Sequence, residues 1–441
     1  MKGTYKIHTY GCQMNVHESE KIASILIKFG FEESDDNISD VVVFNTCCIR
    51  DTAEQKIFGH IGMYKKIKEQ HPNIIVIVVG CLSQQSGYDE IFKKSYPYVD
   101  IVLGTRNISN LENILTQYIE KKRRKREFSQ EMPPEYLYLD GKMDKFRTSY
   151  PNAWVNIIYG CNNFCTYCIV PYVRGRELSR PIKDIVSEVK QCLEEGYKEI
   201  TLLGQNVNSY GNDFNDGTNF ATLLKEIDKL EYKFRLKFMT SHPKDLTDEL
   251  IDVIANSKNI AHYLHLPVQA GSNKVLNDMH RRYTREHYFS LVEKLRNKIP
   301  DIVLTTDIMV GFPTETDDDF VDTYDLVEQV KFNSIFAFIY SPRKGTPASE
   351  MKQLLYEIKQ ARIDKILKLQ KKITAAMSKE SIGEVHEILT DKFLATKEGY
   401  IAGKTFNGKI VCVPNEGLRE GEFYKVKIVS STNTAMYGEL I

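Results

Sequence analysis

The sequence predicts an α/β protein in three parts: an N-terminal doubly wound parallel sheet, a central partial (β/α)6 barrel and a C-terminal five-stranded antiparallel β-barrel. Three patterns carry this prediction. Apolar runs alternate with amphipathic helices over residues 1–121, a strand-then-helix unit recurs between residues 151 and 345, and short strands with glycine-bearing turns follow residue 378. The chain has 441 residues, and its 42% of apolar residues suffice for several packed cores.

The N-terminal part has three predicted strands, and a cysteine follows the carboxyl end of each strand within two residues. The strands cover residues 5–10, 41–45 and 74–79, with helices predicted at residues 18–29 and 52–69. The cysteines are Cys12, Cys47 with Cys48, and Cys81. Because doubly wound sheets bind ligands beyond the carboxyl ends of their strands, the pattern predicts a cluster with three thiolate ligands. The alternative is three ordinary buried cysteines, and the residues alone do not choose between Cys47 and Cys48.

A basic segment follows, and we interpret residues 122–150 as an exposed linker. Six positive charges stand in succession at residues 121–126, where they would repel one another within a compact element, and Pro133 and Pro134 follow. The alternative is a strap that contacts phosphate groups.

The central part, residues 151–377, is predicted to be the barrel with a trailing helix over residues 350–378. Its predicted strands lie at residues 154–158, 199–203, 235–239, 263–267, 303–310 and 334–340. One helix covers residues 182–195, and another begins after Thr316, whose hydroxyl can cap an aspartate-rich first turn. In such barrels the reacting groups gather at the carboxyl ends of the strands.

Three cysteines follow the first barrel strand directly, at Cys161, Cys165 and Cys168. Thiolates at this spacing can bind three irons of a [4Fe–4S] cluster and leave the fourth iron open to another ligand. Zinc is one alternative, but it takes four ligands, and no second cysteine pair or histidine pair follows. A disulfide is the other alternative, and it would leave one thiol unpaired.

Polar residues also lie at the ends of the later barrel strands, where binding groups are expected. They are Gln205, Thr240 and Gln269, together with Asp307 and Gly311, which lie in or just after the fifth strand. For each residue alone, a packing or turn role is the alternative.

Cys192 and Cys412 lie within apolar patterns and are predicted to be buried core residues.

The C-terminal part, residues 378–441, is predicted to form the small β-barrel. Its strands are expected at residues 383–389, 400–402, 409–413, 422–429 and 437–441. This part contains eight Lys and Arg and nine Asp and Glu, so the sequence does not predict a strongly basic surface there. The charge of the whole chain is also balanced, with 59 basic and 59 acidic residues.

No apolar run approaches the roughly 20 residues of a membrane span and no secretory signal is present, so we expect a cytoplasmic protein.

The residues around these cysteines resemble a known family. Residues 159–181 look like the signature of the radical S-adenosylmethionine methylthiotransferases. Three auxiliary-cluster motifs of that family are similar to Thr9-Tyr-Gly-Cys12-Gln-Met-Asn15, to Asn45-Thr-Cys47 with Ile49-Arg50, and to Gly80-Cys81-Leu-Ser-Gln84. This match selects Cys47 over Cys48. The C-terminal part resembles the RNA-binding TRAM module of the family, including residues 403–407, so the resemblance covers essentially the whole chain.

The resemblance implies two [4Fe–4S] clusters and S-adenosylmethionine as cofactors. Cys161, Cys165 and Cys168 would bind the cluster whose open iron holds S-adenosylmethionine, and Cys12, Cys47 and Cys81 would bind an auxiliary cluster. Further contacts to S-adenosylmethionine are implied for Tyr167, Gln205 with Asn206, Gln269 and Asp307.

The resemblance also implies a reaction, because the residues around Cys12 are most similar to family members that act on tRNA. The expected activity is methylthiolation of C2 of N6-isopentenyladenosine at position 37, adjacent to the anticodon. An adenine C2–H has neither useful acidity nor a leaving group, so a radical is required. One S-adenosylmethionine would donate the methyl group, another would give the 5′-deoxyadenosyl radical, and the auxiliary cluster would supply sulfur.

The implied partners are the anticodon stem-loop of isopentenylated tRNA, a reductase or flavodoxin-type electron donor, and iron–sulfur or sulfur carrier proteins, but no membrane. One alternative is an enzyme of the same branch that acts on threonylcarbamoyladenosine in tRNA or on a ribosomal protein. The others are a non-catalytic iron–sulfur RNA-binding protein and a zinc-stabilised binding protein.

Overall fold

The computed structural model describes residues 3–48, 51–121, 125–127, 147–394, 398–432 and 435–441. The chain forms two compact units. The first comprises Met1–Thr148, Tyr159–Asn162 and Ile169–Arg180, and the second comprises Ser149–Ile158, Asn163–Cys168 and Pro181–Ile441. The domain boundaries at residues 121, 150 and 377 stay a prediction. Among the described helices, none combines the length and the apolar character that crossing a bilayer requires.

The first unit is built on a six-stranded sheet in which every neighbouring pair is parallel, in the order β2-β1-β3-β4-β5-β6. Its strands are β1 (Gly3–Thr9), β2 (Phe31–Glu33), β3 (Val41–Thr46), β4 (Ile75–Gly80), β5 (Ile101–Gly104) and β6 (Lys125–Glu127). Its helices are α1 (Gln13–Lys28), α2 (Asp51–Gln70), α3 (Tyr88–Ser95) and α4 (Leu111–Lys121). Strands β3 and β4 are buried along their whole length, because apolar clusters cover both faces of the sheet. The doubly wound sheet is confirmed.

The predicted linker differs in part from the structure, since β6 lies within it and pairs with β5. A short charged strand is well suited to the edge of a sheet, where it discourages pairing with another chain. The rest of the linker prediction, residues 122–124 and 128–146 with both prolines, lies outside the described residues.

The second unit contains the six predicted barrel strands. After β7 (Asn152–Asn156), the chain passes through β8 (Ile158–Tyr159), α5 (Val170–Arg174) and β9 (Leu178–Ser179). The remaining barrel strands are β10 (Glu199–Leu203), β11 (Arg235–Phe238), β12 (Tyr263–His265), β13 (Val303–Val310) and β14 (Ser334–Ile339). They form two parallel three-stranded sheets, β7-β10-β11 and β12-β13-β14, which the bridge between Leu236 and Ile260 connects. The partial (β/α)6 barrel is therefore confirmed.

The helices of this unit cover the barrel strands. They are α6 (Ile182–Glu194), α7 (Phe220–Asp228), α8 (Asp248–Asn256), α9 (Asn273–Asp278), α10 (Arg285–Lys298), α11 (Asp317–Val330) and α12 (Tyr356–Glu380). Thr316 caps α11 as predicted: its hydroxyl accepts from the Asp319 N–H at 3.3 Å, and the Asp319 carboxylate accepts from the Thr316 N–H at 2.9 Å. The trailing helix begins later than predicted, because the Gln353 side chain bonds the carbonyls of Ala348 and Met351 and stabilises a non-helical segment before α12.

The C-terminal strands close into a barrel in the order β15-β16-β17-β19-β18. They are β15 (Val385–Asp391), β16 (Tyr400–Thr405), β17 (Ile410–Pro414), β18 (Phe423–Ser431) and β19 (Met436–Leu440). Four neighbouring pairs are antiparallel and the pair β17–β19 is parallel. A closed ring with an odd number of strands cannot alternate in direction throughout, so one parallel pair is unavoidable.

This small barrel packs against the amino ends of the (β/α)6 strands. The Asn407 amide donates to the Asp301 carbonyl at 3.0 Å, just before β13. The Arg235 guanidinium, at the start of β11, donates to the carbonyls of Glu387, at 2.7 Å, and Lys404. The contact is therefore at the end of the larger barrel opposite to the carboxyl ends of its strands.

A buried carboxylate at the start of β10, Glu199, anchors this contact. Its oxygens lie 2.7 Å from the Lys237 ammonium and 3.3 Å from that of Lys404, and Glu199 is only 3% exposed. Burial alone would raise the pKa of Glu199, but Lys237 and Lys404 outweigh it and lower the pKa from 4.5 to about 2. The ionised form is therefore the stable one in the folded protein, and it joins the two barrels.

We expect Glu199→Gln to lower the free energy of unfolding of the second unit by about 3 kcal/mol at pH 7, because the buried Lys237 ammonium is left without its counter-charge. The measurement is urea unfolding, with hydrogen exchange in β15 and β16 as the local readout. Because the pKa is lower in the folded state, the stabilisation is present above pH 4.5 and is lost towards pH 2, so the difference between wild type and variant shrinks over that range.

Glu249→Gln is the matched control, since Glu249 forms an exposed ion pair with Lys225 at 2.7 Å. Its cost should stay below about 1 kcal/mol. An equal loss in both variants would contradict the anchoring role of Glu199.

Candidate metal and cofactor site

Three of the predicted ligands follow strands that lie side by side in the first unit. Strands β1, β3 and β4 are neighbours in register, with Thr9 beside Asn45 and Thr46 beside Gly80. Because all three strands are parallel, their carboxyl ends meet at one edge of the sheet. The sheet therefore brings the segments that carry Cys12, Cys47 and Cys81 to the same edge.

Close backbone contacts connect these three segments. The Cys81 N–H donates to the Thr46 carbonyl at 3.0 Å, and the buried Asn15 amide donates to the carbonyls of Tyr10 and Thr46 at 2.8 and 2.9 Å. Gly11 has a φ of +115°, and a Cβ atom there would lie only 2.6 Å from Cβ and 2.9 Å from Sγ of Cys47. Only glycine allows the first segment to approach Cys47 this closely.

A buried arginine that the sequence analysis had not singled out for a role, Arg174, lies beside these thiols. Its guanidinium donates to the Glu18 carboxylate at 2.8 and 3.3 Å and to the Asn15 side-chain oxygen at 3.1 Å. A hydrogen bond from Cys48 and the positive charge of Arg174 lower the pKa of Cys81 despite its burial. For Cys12, burial outweighs the same positive charge and raises the pKa of the thiol.

Cys48 packs into an apolar cluster of the sheet with 2% of its surface exposed. Its thiol donates to Cys81, and this hydrogen bond together with burial raises the pKa of Cys48 well above its ordinary value. The structure thus places Cys48 in the core and against one of the predicted ligands.

In the described part of the chain, no three His, Cys, Asp or Glu side chains converge closely enough to hold a single metal ion. A [4Fe–4S] cluster does not need such convergence, because each thiolate binds a different iron at the border of the cluster. The donor set, three thiols at one protein edge with no disulfide among the described cysteines, fits a cluster better than it fits one ion.

The second cysteine set is divided between the units. In the first unit, the Cys161 N–H donates to the Gly175 carbonyl at 3.1 Å. In the second unit, the Cys168 N–H donates to the Cys165 carbonyl at 2.9 Å, and the Thr166 hydroxyl donates to the Asp278 carbonyl at 2.8 Å. Each part of the loop is thus fixed by hydrogen bonds to backbone carbonyls.

A second buried arginine, Arg281, contacts this loop and was also missed from the sequence. Its Nη1 donates to Cys165 Sγ at 3.5 Å and to the Tyr167 hydroxyl at 3.4 Å, while Nη2 donates to the Pro267 carbonyl at 2.8 Å. Burial raises the pKa of Tyr167 well above 10, although Arg281 opposes the rise. Arg281 thereby joins the cysteine loop to the carboxyl end of β12.

The other predicted residues follow the barrel strands, except Asp307, which lies within β13. The Gln269 N–H donates to the Asp307 carbonyl at 2.9 Å, which puts these two positions side by side, and the Asp307 carboxylate is 3.6 Å from the His265 ring. Thr240 and Gln269 have left-handed backbones, with φ of +69° and +70°. Gly311 has a φ of +72°, and its N–H donates to the Glu315 carboxylate at 3.1 Å. These contacts support a turn role for Thr240 and Gly311.

Among the buried polar atoms without a hydrogen-bond partner in the described part of the chain, one group lies just after β10 and β11. Six of them lie there, namely Oε1 of Gln205, Oδ1 of Asn206, both amide atoms of Asn208, Oγ of Ser241 and Nε2 of His242. An unsatisfied buried polar group costs free energy, so this grouping indicates that a polar ligand or ordered water completes the site. The sequence did not predict a role for Asn208, Ser241 and His242, because the segments that carry Gln205 and Ser241 become neighbours only when β10 and β11 pair in the folded chain.

Two family models match the sequence. The Radical SAM superfamily model matches residues 155–327, and the model of Uncharacterized protein family UPF0004 matches residues 4–104.

Similar curated proteins extend over the whole chain. The tRNA-2-methylthio-N(6)-dimethylallyladenosine synthase of Carboxydothermus hydrogenoformans is 47% identical over 440 residues, which cover 99% of this chain and 99% of that protein. The protein of the same name from Acetivibrio thermocellus is 43% identical, covering 100% of this chain and 91% of its own.

Among solved structures, the radical S-adenosylmethionine methyltransferase TsrM of Kitasatospora setae, with cobalamin and a [4Fe–4S] cluster bound, superposes with a TM-score of 0.56. It is 15% identical and covers 87% of this chain and 77% of its own. The cobalamin-dependent radical enzyme OxsB gives a TM-score of 0.51 at 14% identity, over 84% of this chain and 56% of its own. At these identities the likeness concerns the fold alone.

We expect Gly11→Ala to displace Cys47 and to reduce the iron and sulfide bound after anaerobic reconstitution by about half, because only one of the two cysteine sets is disturbed. Gly87→Ala is the matched control: Gly87 also has a positive φ, +85°, but a Cβ atom there meets nothing within 4 Å. Full iron content in Gly11→Ala would show that the contact with Cys47 does not matter.

Proposed function

Because the chain belongs to the family of tRNA-2-methylthio-N6-dimethylallyladenosine synthases, which are radical S-adenosylmethionine enzymes, we propose that it adds a methylthio group to C2 of N6-isopentenyladenosine in tRNA. The modified base is adenosine 37, beside the anticodon. The observation that carries the proposal is the presence of two separate three-cysteine sets on a chain that matches these synthases over its full length.

The family uses S-adenosylmethionine and [4Fe–4S] clusters. When bound, these groups supply a carbon-centred radical, a sulfur atom and a methyl group, which is the chemistry that an unactivated adenine C2–H needs. We assign Cys161, Cys165 and Cys168 to the cluster that binds S-adenosylmethionine, and Cys12, Cys47 and Cys81 to the auxiliary cluster. Each set leaves one coordination position for a ligand that does not come from cysteine.

The chain's own residues bind and orient the substrate groups. We assign Tyr167, Gln205, Gln269 and Asp307 to the binding of S-adenosylmethionine. The assignment of Gln205 is supported by its buried side-chain oxygen, which has no partner among the described residues and can accept a hydrogen bond from an ammonium group. Burial of Cys161 and Cys165, which are 9% and 7% exposed, limits the access of water to the reacting groups.

The C-terminal barrel is proposed to contact the tRNA. It lacks a net positive charge, so its affinity would rest on a few basic side chains rather than on a basic face. The further proposed partners are a reductase or flavodoxin-type electron donor and iron–sulfur or sulfur carrier proteins, and the proposed location is the cytoplasm. The alternative substrates, threonylcarbamoyladenosine in tRNA and a ribosomal protein, are separated by the assay below.

The test is to incubate anaerobically reconstituted protein with reductant, S-adenosylmethionine and isopentenylated tRNA, and then to analyse the nucleosides by mass spectrometry. We expect 2-methylthio-isopentenyladenosine together with 5′-deoxyadenosine. Formation of 5′-deoxyadenosine without the modified nucleoside would overturn the substrate assignment. Formation of neither, with both clusters present, would favour a non-catalytic iron–sulfur RNA-binding protein, and zinc without sulfide would favour a zinc-stabilised one.

Single cysteine variants separate the roles of the two sets. We expect Cys165→Ala to abolish cleavage of S-adenosylmethionine, whereas Cys47→Ala should retain cleavage and lose methylthiolation. Both are measured by quantifying 5′-deoxyadenosine and the modified nucleoside. Cys192→Ala is the control, because Cys192 is a core residue with 1% exposure and should keep both activities. Normal methylthiolation by Cys47→Ala would contradict the division of labour.

A further inference from the structure

Each proposed cluster has one buried arginine beside its cysteines, and the two arginines differ in their counter-charges. Arg174 adjoins Cys81 in the first unit, and Arg281 donates to Cys165 in the second. Both are 5% exposed, so their charges act in a medium of low dielectric constant, where they are screened little by water.

Within the described ranges, no carboxylate lies beside the charge of Arg281. Its hydrogen-bond acceptors are the Pro267 carbonyl, the hydroxyls of Tyr167 and Tyr283, and Cys165 Sγ. Among the described residues, no Asp or Glu lies within ion-pair distance of it, and phenols are neutral at pH 7. In the part of the chain that the structure describes, the Cys165 thiolate is therefore the one negative group that this guanidinium contacts.

The charge of Arg174, in contrast, is matched by a carboxylate. Glu18 accepts two hydrogen bonds from the guanidinium, at 2.8 and 3.3 Å, and is 0% exposed. The Asn15 side-chain oxygen accepts a third at 3.1 Å. The carboxylate of this bidentate pair offsets part of the guanidinium charge, so Arg174 acts on the neighbouring thiolates more weakly than an arginine without a counter-charge would.

We propose that these residues separate the reduction potentials of the two clusters: Arg281 makes the cluster at Cys161, Cys165 and Cys168 the easier one to reduce, while Glu18 weakens this effect of Arg174 at the auxiliary cluster. The inference rests on the proposed function, because it takes the two cysteine sets as cluster ligands.

The physical basis is that an added electron makes a cluster more negative. A nearby positive charge and an N–H hydrogen bond to a ligand sulfur both stabilise that reduced form and raise the potential. One electron from a low-potential iron–sulfur or flavin protein then converts [4Fe–4S]2+ to [4Fe–4S]+ at the cluster that cleaves S-adenosylmethionine. The auxiliary cluster stays oxidised and keeps its sulfur for transfer.

The test is a redox titration followed by electron paramagnetic resonance, on full-length chains that carry one cluster each and without S-adenosylmethionine or tRNA. The first background keeps only the cluster that binds S-adenosylmethionine, because it carries Cys12→Ala/Cys47→Ala/Cys81→Ala. The second background keeps only the auxiliary cluster, because it carries Cys161→Ala/Cys165→Ala/Cys168→Ala. In the first background, Arg281→Met should lower the ratio of reduced to oxidised cluster at fixed potential about tenfold, which is about 59 mV for one electron. Arg281→Lys keeps the charge and should lose less than half of that shift.

Arg296→Met is the matched control in that background, because Arg296 is also partly buried but donates to the Val330 carbonyl at 2.5 Å. It should leave the potential unchanged. In the second background, Glu18→Gln should raise the ratio of reduced to oxidised auxiliary cluster about tenfold, because Arg174 is left uncompensated. Adding Arg174→Met to Glu18→Gln should return the potential to the starting value or below it.

An unchanged or raised potential in Arg281→Met with full iron content, or an unchanged or lowered one in Glu18→Gln, would overturn the inference. Iron and sulfide analysis precedes each titration, and their absence from both backgrounds would overturn the cluster assignment and the inference together. If wild-type protein formed the methylthiolated nucleoside but the potentials did not respond, the inference alone would fail and the proposed function would stand.

Discussion

The in-register parallel pairing of β1, β3 and β4 is the constraint on which the candidate site depends. Parallel strands end at the same edge of a sheet, so cysteines placed just after each strand are brought together without any further device. A buried amide pair reinforces the register: the Asn45 side chain donates to the Asn15 carbonyl at 2.7 Å, and Asn15 bonds two carbonyls of the neighbouring loops. Gly11 then permits the last close approach. The same topological rule brings Gln205, Gln269 and Asp307 to one end of the larger barrel.

Much of this could be predicted from the sequence, because its signals are local. The six barrel strands have runs of β-branched and aromatic residues, and the Thr316 cap is a four-residue pattern, so both were found. The two sets of candidate cysteine ligands were predicted from their spacing and from their resemblance to family motifs. The four-residue strand β5 was missed, since a run that short has no distinctive period.

The two arginines could not be predicted, because their contacts are distant in sequence. Arg174 meets Glu18 across 156 residues, and Arg281 meets Cys165 across 116. Nothing within either segment distinguishes a buried charge from an exposed one until the strands are assembled. The same holds for Asn208 and His242, whose unpaired atoms become apparent only when β10 and β11 lie side by side. Local periodicity therefore specifies the scaffold, while charge and hydrogen-bond complementarity emerge from assembly.

The attachment of the small C-terminal barrel to the amino ends of the larger barrel's strands has a geometric consequence. The longest of these strands, β13, has eight residues, which at the usual rise and tilt span roughly 20 Å along the barrel axis. An RNA held by the small barrel while its base reached the opposite end would have to cover at least that distance. If the small barrel binds the RNA as proposed, the second unit would act as a ruler, which would relate the position of the base to a fixed point elsewhere on the RNA rather than to its immediate neighbours.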